Sequence, residues 1–199
     1  MLPKYVMRAI RRPAPGKAYE VLDGVLEFRR GLGIAGMTTM TLFSAESMIM
    51  STTPFDHLAD AEGLADGLLA DPARKQAFAD IDALCSSSFI SMSRIIEAGS
   101  GRETANWIQR YRFIPSNGAR PQLIAALLEF ASHSGDPGMS ITASTNGPSV
   151  VASLAVESLS TIEERGDLMA SDPGTVARVA AVGAHIDSYA VSISKVFRD

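Results

Sequence analysis

Cysteine is nearly absent from this chain of 199 residues, since Cys85 is the only one. A single thiol excludes a disulfide within the chain and fits a reducing compartment. Basic residues are too few for a nucleic-acid-binding surface, because 18 Lys and Arg stand against 22 Asp and Glu. An uncharged apolar run of the roughly 18 residues that a membrane helix needs is missing, as is a signal segment. We therefore expect a cytoplasmic protein that binds neither nucleic acid nor membrane.

What the chain does contain is an internal repeat. A shift of 102 places residues 5–52 on residues 107–154 without a gap, and a shift of 101 then places residues 68–96 on the end of the chain. The identical pairs include Arg8 with Arg110, Leu26-Glu27-Phe28 with Leu128-Glu129-Phe130, and Ser51 with Ser153. A repeat of this length is a whole folding unit. We expect two domains, residues 1–101 and 102–199, which are each small for independent stability and depend on one another.

Both halves show the same order of predicted elements. A strand that ends at a proline is followed by an amphipathic helix, two strands joined by a tight connection, a second helix and a last strand. The second helix is predicted to begin near residues 53–56 and to be interrupted at Asp71-Pro72 and at Asp172-Pro173. The last strands are predicted over Phe89–Ile96 and Ala190–Phe197.

This order predicts the α+β fold class, with two ferredoxin-like βαββαβ repeats whose helices cover one face of each antiparallel sheet. The other face of each sheet would be exposed in a lone unit. We therefore expect the two sheets to face each other and form a pseudo-twofold barrel.

Three short features resemble the NIPSNAP-like branch of the dimeric α/β-barrel superfamily. They are the aromatic-x-x-Arg opening strands (Tyr5 to Arg8, Trp107 to Arg110), the turn Pro15-Gly16-Lys17, and Asp-Pro within the second helix. Members of that superfamily include cofactor-free monooxygenases, polyketide cyclases, isomerase-like proteins and haem enzymes. The resemblance implies a fold and a pocket rather than one reaction.

Paired arginines are the leading candidates for a site. Alternate residues of a strand share a face, so Arg8 lies beside Val6 and Ile10, and Arg110 lies beside Arg112. In the opening strand of the second half, the aromatic residues on the other face are expected to pack under helices. The arginines then point to the space between the sheets. A planar guanidinium suits a carboxylate or enolate. The alternative is that the arginines reach a sheet edge and pair with Asp or Glu.

These residues predict the binding of a small, largely apolar molecule with an anionic or carbonyl oxygen in the barrel lumen. In an enzyme, Arg8, Arg110 and Arg112 would stabilise developing negative charge, and Tyr111 or His185 would transfer a proton. The reaction would be a cofactor-independent oxidation, isomerisation or cyclisation.

Two alternatives remain open. In haem-using relatives the resemblance implies a ligand histidine on a helix, and His185 lies late in the second helix of the second half, where it could instead compensate the helix dipole. The other alternative is a non-catalytic assembly or interaction module. A homodimer is compatible with every alternative.

Two apparent motifs are explained by local structure. The run Gly31-Leu32-Gly33-Ile34-Ala35-Gly36 matches a dinucleotide-binding fingerprint, but it leaves a helix and enters a strand, so helix termination explains it better. The cluster of Asp56, His57, Asp60 and Glu62 contains possible metal ligands, but acidic residues are expected in a first helical turn. We expect no metal site there.

Overall fold

A computed structural model describes residues 2–43, 47–101, 103–133 and 138–198. These residues form eight strands and six helices. In chain order they are β1 (Tyr5–Pro13), α1 (Ala18–Leu32), β2 (Met37–Thr41), β3 (Ile49–Phe55), α2 (Leu58–Ala70), α3 (Pro72–Ala83), β4 (Cys85–Glu97), β5 (Trp107–Pro115), α4 (Arg120–His133), β6 (Met139–Ser144), β7 (Val150–Val156), α5 (Leu159–Ser171), α6 (Pro173–Gly183) and β8 (Ile186–Phe197). The predicted βαββαβ repeat is confirmed.

The strands belong to one antiparallel sheet, in which hydrogen-bonded neighbours follow the order β1-β3-β2-β8-β5-β7-β6-β4. The predicted α+β class is therefore confirmed. The chain divides into two compact units. The first unit contains the residues up to Arg94 and those from Ser194 onward, and the second unit contains Ile95–Ile193. The domain boundary after residue 101 stays a prediction.

In the first unit, β1 lies between β3 and β4, so that Arg8 faces Thr52 on one side and Ser91 on the other. Strand β2 pairs with β3 and with the last residues of β8. Helix α1 buries an apolar stripe against this sheet, which is the helical spacing that the sequence predicts. The core combines that stripe with one residue from each of β2, β3 and α3; its members are Val21, Leu22, Val25, Met40, Ile49 and Ile81.

In the second unit, β7 lies between β5 and β6. Its core is larger and is built by α4, α6 and the three strands. The buried members are Phe113, Leu123, Leu127, Met139, Ile141, Val150, Ala152, Leu154 and Val182.

The predicted breaks in the second helix of each repeat are confirmed. Asp71 ends α2, and Pro72 begins α3. The Oδ1 atom of Asp71 caps α3 by accepting hydrogen bonds from the backbone N–H of Ala73 at 3.0 Å and of Arg74 at 3.2 Å. Asp172 accepts from the backbone N–H of Thr175 at 2.6 Å. Hydrogen bonding to the Thr175 side chain is the main cause that lowers the pKa of Asp172, and this backbone hydrogen bond adds to it. No helix within the described residues has both the length and the apolar character that crossing a membrane demands.

The predicted start of the second helix is wrong. Residues 53–55 continue β3, where Phe55 lies opposite Tyr5, and α2 begins only at Leu58. Pro54 is tolerated in the strand because the pairing of β3 with β2 reaches only to Thr52. The cap of α2 is His57, whose backbone N–H donates to Asp60 at 2.9 Å. His57 and Asp60 therefore serve the helix end, as the sequence indicates.

The last strand of each repeat begins about four residues earlier than predicted. Strand β4 starts at Cys85, which lies opposite Pro13, and β8 starts at Ile186. The serines at 86–88 are poor strand formers by composition, and this hid the early start. Pairing with the full length of β1 holds them in the sheet.

The gapless alignment of the repeats is wrong in both their second and their third strands. Arg8 faces Thr52, whereas Arg110 faces Ser153. Ser153 is thus the counterpart of Thr52, and the identity between Ser51 and Ser153 is not structural. A shift of one residue moves a side chain to the other face of a strand. The corrected alignment therefore decides which residue of the second unit corresponds to each residue of the first.

The loop between α1 and β2 depends on glycine. Gly33 adopts the left-handed conformation with φ 61° and ends α1, so the fingerprint-like run does terminate a helix as predicted. Gly36 has φ 131°, and a Cβ added there would overlap the backbone carbonyl oxygen of Thr52. The approach of this loop to β3 therefore requires a residue without a side chain.

We expect Gly36→Ala to lower the free energy of unfolding by about 3 kcal/mol, because it combines backbone strain with a clash. Gly31→Ala is the matched control, since nothing lies within 4 Å of a Cβ at that position on α1. It should raise stability by about 0.5–1 kcal/mol. Urea unfolding followed by circular dichroism measures both. Equal stabilities of the two variants would contradict the account of this loop.

Candidate functional site

A cavity of about 350 Å³ lies inside the second unit, between its sheet and its helices. Ligand sites in proteins usually measure about 300–1,000 Å³, so this cavity can hold a small molecule. The described part of its lining is apolar apart from two tyrosine hydroxyl groups. The lining residues are Tyr111, Phe113, Leu127, Phe130, Met139, Ala152, Leu154, Met169, Val179, Val182, Gly183, Ile186 and Tyr189.

Aromatic rings form one wall of this cavity. Tyr111 and Phe113 alternate along β5 on the face that the helices cover, and their rings stack with centroids 6.2 Å apart and planes 8° apart. The ring of Tyr189, on β8, lies 6.4 Å from that of Phe113. Tyr189 is 62% exposed, which places it at the mouth of the cavity. A flat aromatic ligand could extend this row of rings.

The hydroxyl group of Tyr111 is the polar group deepest in the wall. Burial raises the pKa of Tyr111 above the ordinary value of tyrosine, and the neighbouring Tyr189 adds to the rise. The positive charge of Arg165, on α5, opposes it. Tyr111 therefore keeps its proton at neutral pH and can donate a hydrogen bond in an apolar surrounding.

The corresponding region of the first unit is filled by a polar cluster. The Nε of Arg11 donates to Asp82 at 2.8 Å, and its guanidinium lies 4.6 Å from the centroid of the Phe78 ring. The hydroxyl of Ser88 donates to the other oxygen of Asp82 at 2.9 Å. We call Arg11, Phe78, Asp82 and Ser88 the Arg11 cluster.

The second unit has a different residue at every position of the Arg11 cluster. With the shift of 102 for the first strand and of 101 for the second half of each repeat, Phe113 replaces Arg11 and Val179 replaces Phe78, while Gly183 replaces Asp82 and Tyr189 replaces Ser88. Nothing lies within 4 Å of a Cβ added at Gly183. The wider cavity of the second unit thus follows from the loss of a charged pair and of one side chain.

The predicted arginines lie on the face of each sheet that its helices do not cover. Arg8 is 7% exposed and donates from Nη1 to the hydroxyl of Ser93 at 3.0 Å. Arg110 is equally buried, opposite Ser153, whereas Arg112 is exposed. Strand alternation predicts this face for them, and their direction into a space between the two sheets stays a prediction. The role of the three arginines at a ligand oxygen stays a prediction.

The structure does not bring Tyr111 together with these arginines. Tyr111 alternates with Arg110 and Arg112 along β5, so it points to the opposite face of the sheet. His185 lies two residues beyond the end of α6, half-buried, and is not among the residues that line the cavity. The predicted set therefore divides between two faces of the sheet.

The described residues hold no group of three or more histidine, cysteine, aspartate or glutamate side chains that could bind a metal ion. Cys85 donates to the carbonyl oxygen of Ile81 at 3.4 Å, and burial raises the pKa of its thiol. The ring of His133 lies 2.9 Å from the carbonyl oxygen of Glu129 at the end of α4. Both side chains are engaged with helix ends.

Comparison with known proteins finds no matching family model and no similar curated sequence. Solved structures do match. An anthrone oxidase-like protein is 12% identical with a TM-score of 0.70, covering 100% of this chain and 92% of the other. A candidate monooxygenase from Fusobacterium nucleatum is 6% identical with a TM-score of 0.75, covering 100% and 94%. A heme-binding protein from Thermus thermophilus is 14% identical with a TM-score of 0.52, covering 100% and 92%.

This chain shares its fold with monooxygenase-like proteins. The likeness supports the predicted ferredoxin-like fold. At such low identity it describes the fold and not the activity.

Sequence reasoning missed Phe113, Gly183 and Tyr189 as residues of a site. The signal was present in the differences between the repeats rather than in their identities. Tyr189 stands where the first repeat has Ser88, and Gly183 stands where it has Asp82. The shift of 101 between the repeats already pairs these positions, so a comparison of the residues that differ could have found them.

We expect Asp82→Ala to lower the free energy of unfolding by about 2–4 kcal/mol, because Arg11 is 5% exposed at its side chain and would lose its carboxylate partner. The double variant Arg11→Phe, Asp82→Ala removes the charge as well and should be more stable than the single variant. Urea unfolding compares the two. A double variant no more stable than Asp82→Ala would show that Arg11 does not depend on this pair.

Proposed function

We propose that the second unit binds a flat, mostly apolar aromatic molecule that carries a carbonyl or phenolic oxygen. The observation that carries this proposal is the cavity of about 350 Å³ with a wall of three rings and the hydroxyl of Tyr111 among them. Among the residues that the structure describes, the lining contains no charged side chain. A ligand therefore needs an apolar body, since a small ion would lose its hydration there without compensation.

Tyr111 gives the site its preference for an oxygen. Because the pKa of Tyr111 is raised, its hydroxyl acts as a hydrogen-bond donor at neutral pH and not as a base. Such a bond strengthens as the accepting oxygen gains negative charge. The charge of Arg165 favours negative charge in the same region. The site would therefore favour the enolate or phenolate form of its ligand over the neutral form.

The reaction class that fits this preference is oxidation by O2 without a bound cofactor, as the monooxygenase-like neighbours suggest. An activated methylene group between two rings, as in anthrone, loses a proton to solvent and forms an enolate whose oxygen accepts the hydrogen bond of Tyr111. O2 then oxidises the carbon, so that CH2 and O2 give C=O and H2O. The residue positions support stabilisation of the enolate.

Other parts of the interpretation of the sequence stay predictions. They include a lumen site with Arg8, Arg110 and Arg112, proton transfer by His185, membership of the NIPSNAP-like branch, a cytoplasmic location, a homodimer and a non-catalytic assembly role. Tyr111 is the one member of the predicted catalytic set that lines the described cavity.

Haem, which one structural neighbour binds, fits this cavity poorly. Proteins ligate haem iron through histidine, cysteine, methionine or tyrosinate. Among the described residues the lining contains neither histidine nor cysteine, and the raised pKa of Tyr111 opposes a tyrosinate. Met139 and Met169 line the cavity, but methionine ligates haem iron together with a histidine. His185 lies outside the lining. A Soret band after reconstitution that is lost in His185→Ala would instead support the haem alternative.

Tyr111→Phe tests the proposal, with anthrone as the probe. The variant should bind anthrone about tenfold more weakly and oxidise it about 100-fold more slowly, because it loses the donor to the enolate oxygen. Binding is measured by quenching of protein fluorescence and oxidation by O2 uptake. Tyr19→Phe, on the exposed surface of α1, is the matched control and should behave like the unmodified protein. Full binding by Tyr111→Phe together with loss in folded Arg110→Ala would place the ligand on the other sheet face.

Gly183→Asp provides an independent test of the location. The variant introduces into the second unit the carboxylate that Asp82 supplies in the first, without the arginine that would pair with it. Anthrone binding should fall at least tenfold, because the variant places a carboxylate at the apolar cavity that Gly183 lines. Gly166→Asp, on α5 with nothing within 4 Å of its Cβ, is the control for an added acidic residue in a helix of the same unit. Equal affinities for anthrone would exclude the cavity as its site.

A further inference from the structure

A groove of about 440 Å³ runs along the outer surface of the first unit, between α1 and α3. Its floor is shallow because Gly24 lets α1 approach α3 closely. A Cβ added at Gly24 would lie 3.1 Å from a side-chain carbon of Ile81. Gly31, Ala73 and Ala77 also line the groove. Side chains this short leave room for a further element that packs against both helices.

The charged residues in the described lining of this groove are two acids and one base. Glu27 lies on α1, whereas Asp80 and Arg74 lie on α3. Arg74 already has a partner, since its Nε lies 3.0 Å from a carboxylate oxygen of Asp71. Asp80 accepts a hydrogen bond from the uncharged amide of Gln76 at 2.8 Å, and no ion pair within the described residues includes Glu27. The groove is therefore negatively charged.

The second unit fills the corresponding groove with a side chain of its own. With the shift of 101, Arg178 replaces Ala77 and Gly174 replaces Ala73. A Cβ added at Gly174 would lie 3.3 Å from Nη2 of Arg178. The guanidinium of Arg178 therefore lies along the side of α6 that corresponds to the wall of the groove. The fold thus accepts an arginine at this place, and the first unit lacks that side chain.

The carboxylates lie where a helix with basic side chains would meet them. Ala181 replaces Asp80 in the second unit, so the carboxylate is kept only where the arginine is absent. Glu27 and Asp80 belong to opposite walls. From Gly24 to Gly31 the groove follows about two turns of α1, since a turn contains 3.6 residues. A helix that packs along both walls would bring its cations close to a carboxylate on either side.

We propose that this groove binds a helix of a partner protein, and that arginine or lysine side chains of that helix pair with Glu27 and Asp80. The apolar stems of such side chains cover the floor while their charged ends reach the rim. A second copy of this chain does not offer the match. Among the six described helices only α6 has more basic than acidic residues, and Arg178 already lies against its own unit. The proposal does not depend on the function of the second unit.

A synthetic peptide serves as the probe for this groove. It consists of about 18 mostly alanine residues, which is long enough to form a helix, and carries arginines three and four residues apart so that they share one face. Binding to the full chain is measured by fluorescence anisotropy of the labelled peptide at low salt. The arginine peptide should bind at least tenfold more tightly than the same peptide with glutamine at these positions, and added salt should weaken its binding.

Ala77→Arg gives the first unit the side chain that fills the groove of the second, and it should weaken binding of the arginine peptide at least tenfold. Ala79→Arg is the matched control, because Ala79 is exposed on the same helix but does not line the groove. It adds the same charge and should change the affinity by no more than about twofold. The double variant Glu27→Gln, Asp80→Asn should lose about tenfold. Circular dichroism checks that each variant is folded.

Equal binding of the arginine and glutamine peptides would overturn this inference. So would equal affinities of Ala77→Arg and Ala79→Arg, or full binding by the folded double variant. Dimerisation of the unmodified chain in sedimentation, lost in Ala77→Arg and kept in Ala79→Arg, would assign the groove to a second copy and would also overturn it.

Discussion

Strand alternation is the constraint on which the arrangement of the cavity and of the paired arginines depends. Successive side chains of a strand point to opposite faces, so one strand of each repeat supplies two different environments. On β5, Tyr111 and Phe113 enter the cavity under the helices, while Arg110 enters a face rich in serine and threonine hydroxyls. A shift of one residue would exchange these environments, and the pairing of β5 with β7 prevents it.

The two repeats preserve one backbone plan and use it for different interiors. In the first unit the Arg11 cluster fills the space between sheet and helices with an ion pair, which tolerates burial because the arginine has a carboxylate and an aromatic ring beside it. In the second unit Phe113 and Gly183 occupy two of the same positions, so no charge needs compensation there. The cavity of the second unit is therefore larger and less polar than the corresponding region of the first unit. A duplicated fold allows this division because one copy can retain stability while the other forms a cavity.

Much of the architecture could be predicted because it depends on local signals. The apolar stripe of Val21, Leu22 and Val25 predicts helix α1, and Asp71-Pro72 predicts the start of α3. Both signals are local, because helical spacing and capping act within a few residues. The facing of Arg8 and Arg110 was also predictable from alternation. The start of α2 was not, because Thr53 and Pro54 have the composition of a helix start but are held in β3 by pairing with β1. Of the residues that line the candidate site, the sequence predicts only Tyr111. It predicts Tyr111 together with arginines that lie on the opposite face of the sheet.

The sequence by itself determined the duplication, the βαββαβ order and the alternation of arginine with aromatic residues, because each follows from neighbouring residues and from covalent geometry. Only the tertiary structure decided the strand registers, and with them which serine corresponds to which. It also decided that Asp82 meets Arg11 and that Gly183 leaves the matching space open, although 71 residues separate Arg11 from Asp82. Contacts between residues so far apart in the chain are set by how the helices pack on the sheet, and no local pattern encodes that packing.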